Sequence, residues 1–156
     1  MLKRIFPKQL DNDYRGYRLG LWILIPVVLA KLAMGANSLV NTRLVAMSAD
    51  GIPLDGYSAG AAQTVIALFA LWGLSNLLIG LQGVLVLVRY RAMAPFTYLL
   101  LLLQYAGSKT IAIVHPIARS GATTYGSIPL GQAFILAVLA LTVLGFVLSL
   151  LNRRAD

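Results

Sequence analysis

The stretch AGAAQTVIALFALWGLSNLLIGLQGVLVLV, residues 59–88, contains no charged side chain in thirty consecutive positions. A helix needs about 20 mainly apolar residues to cross the hydrocarbon core of a bilayer. The rest of the chain has the same character, because 59% of its 156 residues are hydrophobic and the mean hydropathy is +0.81. Soluble domains usually contain about 45 to 50% apolar residues. The sequence therefore predicts an integral membrane protein.

Three further segments of low charge flank this stretch, at about residues 19–40, 95–118 and 128–151. They lack the alternation of barrel strands, and a helix satisfies its own backbone polar groups in lipid. We therefore expect an all-α membrane protein, a bundle of four transmembrane helices. We also expect a single membrane domain, residues 1–156, in which residues 1–18 are a cytoplasmic N-terminal segment.

Lysine and arginine are distributed unevenly between the two ends of the predicted helices. The end that includes the N-terminal segment has nine of them: Lys3, Arg4, Lys8, Arg15, Arg18, Arg89, Arg91, Arg153 and Arg154. The opposite end has only Arg43 and Arg119. Cytoplasmic loops carry the excess of basic residues, so we expect both termini in the cytoplasm of a cell with a bacterial-type inner membrane. This topology and contact with anionic lipids explain the net charge of +8, and we expect no nucleic-acid partner.

The N-terminus has a basic head and an apolar run that resemble a secretory signal. Lys31 would fall inside the cleavage region, so we expect no cleaved signal peptide. The chain contains no cysteine, which excludes disulfides, thiol redox chemistry and thiolate metal sites. No sequence motif indicates a cofactor, and we expect none.

A tripeptide that occurs twice indicates an internal repeat. The tripeptide Ile-Pro-Leu occurs at residues 52–54 and 128–130, and an arginine precedes each copy by nine residues. Lys31 and Lys109 occupy comparable places further back. This order predicts two parallel-repeat helical hairpins related by an axis along the membrane normal. The alternative is coincidence, since arginine at a membrane boundary and proline at a helix start are both common.

Two lysines fall near the middle of predicted transmembrane helices. A charged side chain there costs about 2.5 to 3.5 kcal/mol on insertion measures, so Lys31 and Lys109 must face protein, water or a ligand. At 100° per residue, each shares an arc with other polar residues of its helix. We expect an outward-facing polar pocket between the first and third helices, lined by Lys31, Asn37, Ser38, Gln104, Tyr105, Ser108, Lys109 and His115.

Positive charge exceeds negative charge on the predicted outer side. The chain has no glutamate, and the outer side combines the two lysines with these charged residues: Arg43, Asp50, Asp55 and Arg119. The surplus predicts that an anion binds between Lys31 and Lys109, such as a lipid phosphate, a carboxylate or an acidic metabolite. In the alternative, each lysine pairs with a loop aspartate or with backbone carbonyls, or extends to the interface.

The second predicted helix has a face made mainly of glycine. Gly73, Asn76, Gly80 and Gly83 share one arc, which is typical of close packing against another helix, with the amide as a cross-link.

Three functional hypotheses follow from these patterns. The first is a protein that binds an anionic lipid or small anion in the outward pocket, with transport as one use. The second, nearly equal, is a non-catalytic accessory subunit of a larger membrane complex. A homo-oligomer is a separate assembly that the sequence also allows. The third is a membrane enzyme centred on His115 and Lys109. A lone histidine without glutamate or cysteine makes no convincing metal site, and no catalytic residue is assigned.

Overall fold

The computed structural model describes residues 5–7, 9–116 and 130–151, with the side chains of residues 130–133 left aside. These residues form helices and no strand. The principal helices are α1 (Arg18–Val40), α2 (Thr42–Ser48), α3 (Ala59–Val88), α4 (Ala94–Val114) and α5 (Leu130–Leu150). Two 3-10 turns, Leu54–Gly56 and Arg91–Met93, precede α3 and α4.

Three of these helices are long and apolar enough to cross a membrane, namely α1, α3 and the stretch Arg91–Val114 that contains α4. This result confirms the helical class for the described residues, and it is compatible with a membrane protein. The fourth helix, α5, is apolar over the shorter stretch Phe134–Leu150. A fourth crossing therefore stays a prediction.

Local sequence explains where the helices begin and end. Ser58 caps α3, because its hydroxyl accepts a hydrogen bond from the backbone N–H of Ala61 at 3.4 Å. Pro95 lies in the first turn of α4, where its missing N–H costs nothing. The same helix ends at Val114, four residues before the expected limit, because Pro116 disfavours helical backbone at His115.

Helix α1 lies at the centre of the fold. It packs along α3 on one side and against α5 on the other, while α4 packs mainly against α5. The Tyr98 hydroxyl of α4 also donates a buried hydrogen bond of 2.6 Å to the Gly20 carbonyl of α1. The apolar core between these helices consists of Ile23, Leu24, Val27, Val28, Val86, Ala94, Tyr98, Leu101 and Val138. Many large apolar side chains of the same helices face outward, as lipid contact requires.

Glycines bring α1 and α3 into close contact. A Cβ at Gly35 of α1 would lie 2.5 Å from the backbone nitrogen of Leu77 on α3. From the other side, a Cβ at Gly73 or Gly80 would lie 2.7 Å from Ser38 or Leu32. The small-residue face predicted on α3 is therefore confirmed, and α1 is its partner.

The segment that precedes α1 packs across one end of these helices. The Asp11 carbonyl accepts a hydrogen bond of 3.3 Å from the Ala92 N–H, and the Tyr17 N–H donates one of 3.2 Å to the Leu148 carbonyl. This end carries the basic residues that predict the cytoplasmic side.

At the opposite end, the first Ile-Pro-Leu copy lies in the loop before α3. Ile52 and Leu54 are buried against Ala46 of α2. Residues 128–129 of the second copy lie outside the described residues, and the internal repeat stays a prediction.

Candidate functional site

A buried lysine joins three helices near the middle of their length. Lys31 on α1 is only 3% exposed. Its Nζ donates a hydrogen bond of 3.0 Å to Asn76 Oδ1 on α3 and one of 2.9 Å to Gln104 Oε1 on α4. The two acceptors are 45 and 73 residues from Lys31 in the sequence. The ammonium group is therefore a tertiary cross-link.

The two amides are themselves fixed by further hydrogen bonds. Asn76 Nδ2 donates to the Trp72 carbonyl one turn earlier, at 3.0 Å, which turns its oxygen toward Lys31. Gln104 Nε2 donates to Asn76 Oδ1 at 3.3 Å. The aromatic ring of Tyr105 lies 4.3 Å from the Lys31 nitrogen and presents its face to the charge.

These ligands of the ammonium group are all neutral. Amide oxygens and an aromatic face stabilise a cation through their dipoles and quadrupole but leave its net charge in place. Among the described residues, Lys31 forms no ion pair. The arrangement can hold a charge in an apolar bundle and fix the relative positions of α1, α3 and α4.

The structure brings together only part of the predicted pocket. Gln104 and Tyr105 contact Lys31, as one shared site requires. Ser38 is buried against Gly73, at the interface between α1 and α3. Asn37 is exposed, and its Oδ1 accepts a hydrogen bond of 2.8 Å from Asn41 Nδ2.

The remaining predicted residues of α4 lie on the surface. Ser108, Lys109 and His115 are exposed, as is every residue from 106 to 116. Lys109 follows Gln104 by five residues, so its side chain leaves the helix about 140° away around the axis and about 7.5 Å further along it. An anion site that includes both Lys31 and Lys109 stays a prediction.

The outer charged residues contain one ion pair, in which Arg43 Nη2 lies 2.7 Å from Asp55 Oδ1 and both side chains are well exposed. Asp50 lies partly exposed after α2, and Arg119 lies outside the described residues. Within the described part of the chain, no group of three histidine or carboxylate side chains could hold a metal ion.

Sequence reasoning missed that Asn76 is a ligand of Lys31. It was assigned to packing between helices, which it also serves, because its arc contains three glycines. The signal that could have identified this contact is the position of Asn76 deep in an apolar helix. An amide there and a lysine in the middle of another apolar helix each require a polar partner.

Comparisons of the chain with protein-family models, with curated proteins and with solved structures find no match. The functional argument therefore rests on the residues themselves.

Proposed function

We propose that this protein is a non-catalytic subunit of a larger complex in a bacterial-type inner membrane. The outer half of α4 together with the two residues that follow it, residues 106–116, is the surface that a transmembrane partner covers. One observation carries this proposal, namely that all eleven of these residues are exposed although the helix is apolar enough to cross a membrane. They include Ser108, Lys109 and Thr110.

Polarity and side-chain size favour a protein over lipid on this surface. A lysine in contact with hydrocarbon costs about 2.5 to 3.5 kcal/mol at the centre of a helix, and less where it reaches the interface. Ala106, Gly107 and Ser108 are small, and a Cβ at Gly107 would meet nothing within 4 Å. Small and hydroxylated residues are what allow two transmembrane helices to approach closely.

The charges on the outer side indicate which type of side chain the partner contributes. On the outer side, Asp55 already pairs with Arg43, and Lys109 forms no ion pair with a described residue. A carboxylate on a partner helix at the depth of Lys109 would complete the pair, and both charges would then leave the lipid together. We therefore infer an acidic transmembrane partner.

Binding of an anionic lipid or small anion is the second candidate, and the same exposed lysine favours it. Lys109 lies five residues before the end of α4, so its stem can carry the ammonium group toward the outer headgroups. The site would then contain Lys109 and the adjacent Ser108. The third hypothesis has less support, because Lys109 lies on α4 and His115 lies just beyond the end of that helix, and both side chains are exposed.

Photo-crosslinking and charge variants distinguish the two candidates. A photoreactive amino acid at Ser108 should form a stoichiometric adduct with a membrane protein, whereas one at Ser75, exposed on α3, should not. Lys109→Glu should abolish co-purification of that partner, and Lys109→Met should weaken it. Arg43→Met is the matched control, because it removes an outer cation that already has its own carboxylate.

Two results would contradict the proposal. Retention of lipid that depends on Lys109, without a protein adduct at Ser108, would make the protein an anion binder. An adduct between two copies of the chain would make the surface a homo-oligomer contact. Native mass spectrometry after extraction in mild detergent reports each of these masses directly.

A further inference from the structure

We propose that a groove between α1 and the end of α3 binds one anionic phospholipid of the adjoining leaflet. The groove has a volume of about 380 Å³. It lies at the end of the helices where basic residues predict the cytoplasmic side. Its lining consists of Arg18, Leu21, Trp22, Ile25, Leu87 and Arg91.

Both walls change from charged to apolar along the membrane normal. On α1, Arg18 is followed by Leu21, Trp22 and Ile25, a spacing that places all four on one face of the helix. The distance from Arg18 to Ile25 is about 10 Å along the axis. On the other wall, Arg91 lies one turn beyond Leu87. The groove is thus basic at the boundary and apolar toward the bilayer, which matches a headgroup phosphate and the start of an acyl chain.

The two arginines have no described carboxylate to neutralise them. The nearby Asp11 and Asp13 both pair with Arg15, at 3.3 and 3.5 Å. Neither Arg18 nor Arg91 forms an ion pair within the described part of the chain.

The guanidinium of Arg91 is already oriented by the end of α3. Its Nε donates a hydrogen bond of 3.0 Å to the Leu87 carbonyl, which leaves the two terminal nitrogens for a ligand. A guanidinium fork matches the geometry of a phosphate and can bind two of its oxygens together.

The apolar part of the groove favours a lipid over a soluble anion. Trp22 is 68% exposed beside Leu21 and Ile25, and tryptophan is enriched where helices meet the headgroup region. Two guanidinium groups against one phosphate leave a positive surplus. A headgroup that carries its own cation therefore fits less well than an anionic one.

Lipid titration of the delipidated protein in detergent tests the charge requirement. We expect phosphatidylglycerol to bind in preference to phosphatidylcholine of the same acyl chains. Arg18→Gln and Arg91→Gln should each weaken phosphatidylglycerol binding about tenfold, the effect of losing one charge-assisted contact. Arg89→Gln removes the same charge from the same loop outside the groove, beside the Tyr90 ring, and should change binding less than twofold.

Tryptophan quenching tests the location independently. Trp22 and Trp72 are the two tryptophans of the chain, so Trp72→Phe leaves Trp22 as the sole fluorophore. In proteoliposomes, brominated phosphatidylglycerol should quench Trp22 more than brominated phosphatidylcholine at equal mole fraction. Arg18→Gln with Arg91→Gln should abolish that difference.

Three outcomes would overturn the site. An effect of Arg89→Gln equal to that of Arg91→Gln would show diffuse attraction to the leaflet. Equal quenching by the two lipids would show no anionic selectivity at Trp22. Arginine-dependent binding of inorganic phosphate without any preference among lipids would show a site for a soluble anion.

Discussion

Removal of either amide ligand of Lys31 should destabilise the fold more than removal of the lysine charge. If either amide is removed, a buried charge loses a ligand, whereas removal of the charge leaves two neutral oxygens, one of which still accepts from Gln104 Nε2. Loss of a partner from a buried charge costs about 3 to 5 kcal/mol, and an unpaired neutral group about 1 to 3 kcal/mol. We therefore expect Gln104→Leu to destabilise the fold more than Lys31→Met. Unfolding in detergent measures both.

A double-mutant cycle provides the control for this ordering. The combination of Lys31→Met with Gln104→Leu should be less destabilising than the sum of the two single variants, because the charge that makes the loss of Gln104 costly is gone. Strict additivity of the two effects would mean that the ammonium group does not depend on the amide.

The chemistry of Lys31 could be predicted from the sequence only in part. Its depth in an apolar helix requires polar partners, and two residues predicted to line a pocket with it, Gln104 and Tyr105, contact it in the structure. The neutral character of these partners could not be predicted, because helical periodicity gives the face of each helix but not which faces meet. Asn76 was missed for that reason.

Contact between α1 and α3 depends on residues without a side chain. Gly35→Ala would place a methyl group 2.5 Å from the Leu77 backbone nitrogen, which cannot move without its helix. We expect a loss of about 1 to 3 kcal/mol in the free energy of unfolding, typical of an overpacked interior. Gly107→Ala is the matched control in an exposed helix, and it should be neutral or stabilising. Equal effects of the two variants would contradict close packing at Gly35.

Helix positions followed from the sequence wherever an apolar run ended in a clear signal. The predicted bounds of α3 agree with Ala59–Val88, where the run lies between Ser58 and Arg89. The predicted end of α4 was four residues too late, because composition alone continues past Pro116. The short helix α2 was not predicted, since seven residues in a loop give too little periodicity.

The predicted orientation of the whole molecule rests on nine basic residues at one end and two at the other. It can be tested cleanly because the chain has no cysteine, so a single introduced thiol is the only one that a maleimide can label. Asn12 and Gly56 are both exposed, and a Cβ at Gly56 would meet nothing within 4 Å. They lie on either side of α1, one before it and one after α2.

In intact cells, a membrane-impermeant maleimide should label Gly56→Cys and leave Asn12→Cys unlabelled until the membrane is permeabilised. The physical reason is that basic residues resist transfer to the outer side, which retains Arg18 and the segment before it in the cytoplasm. The reverse labelling pattern would show that the molecule has the opposite orientation, with the Arg18 and Arg91 groove in the outer leaflet. Labelling of both positions in intact cells would show that α1 does not cross the membrane between them. The polar contacts of Lys31 would then follow from its burial inside the protein alone.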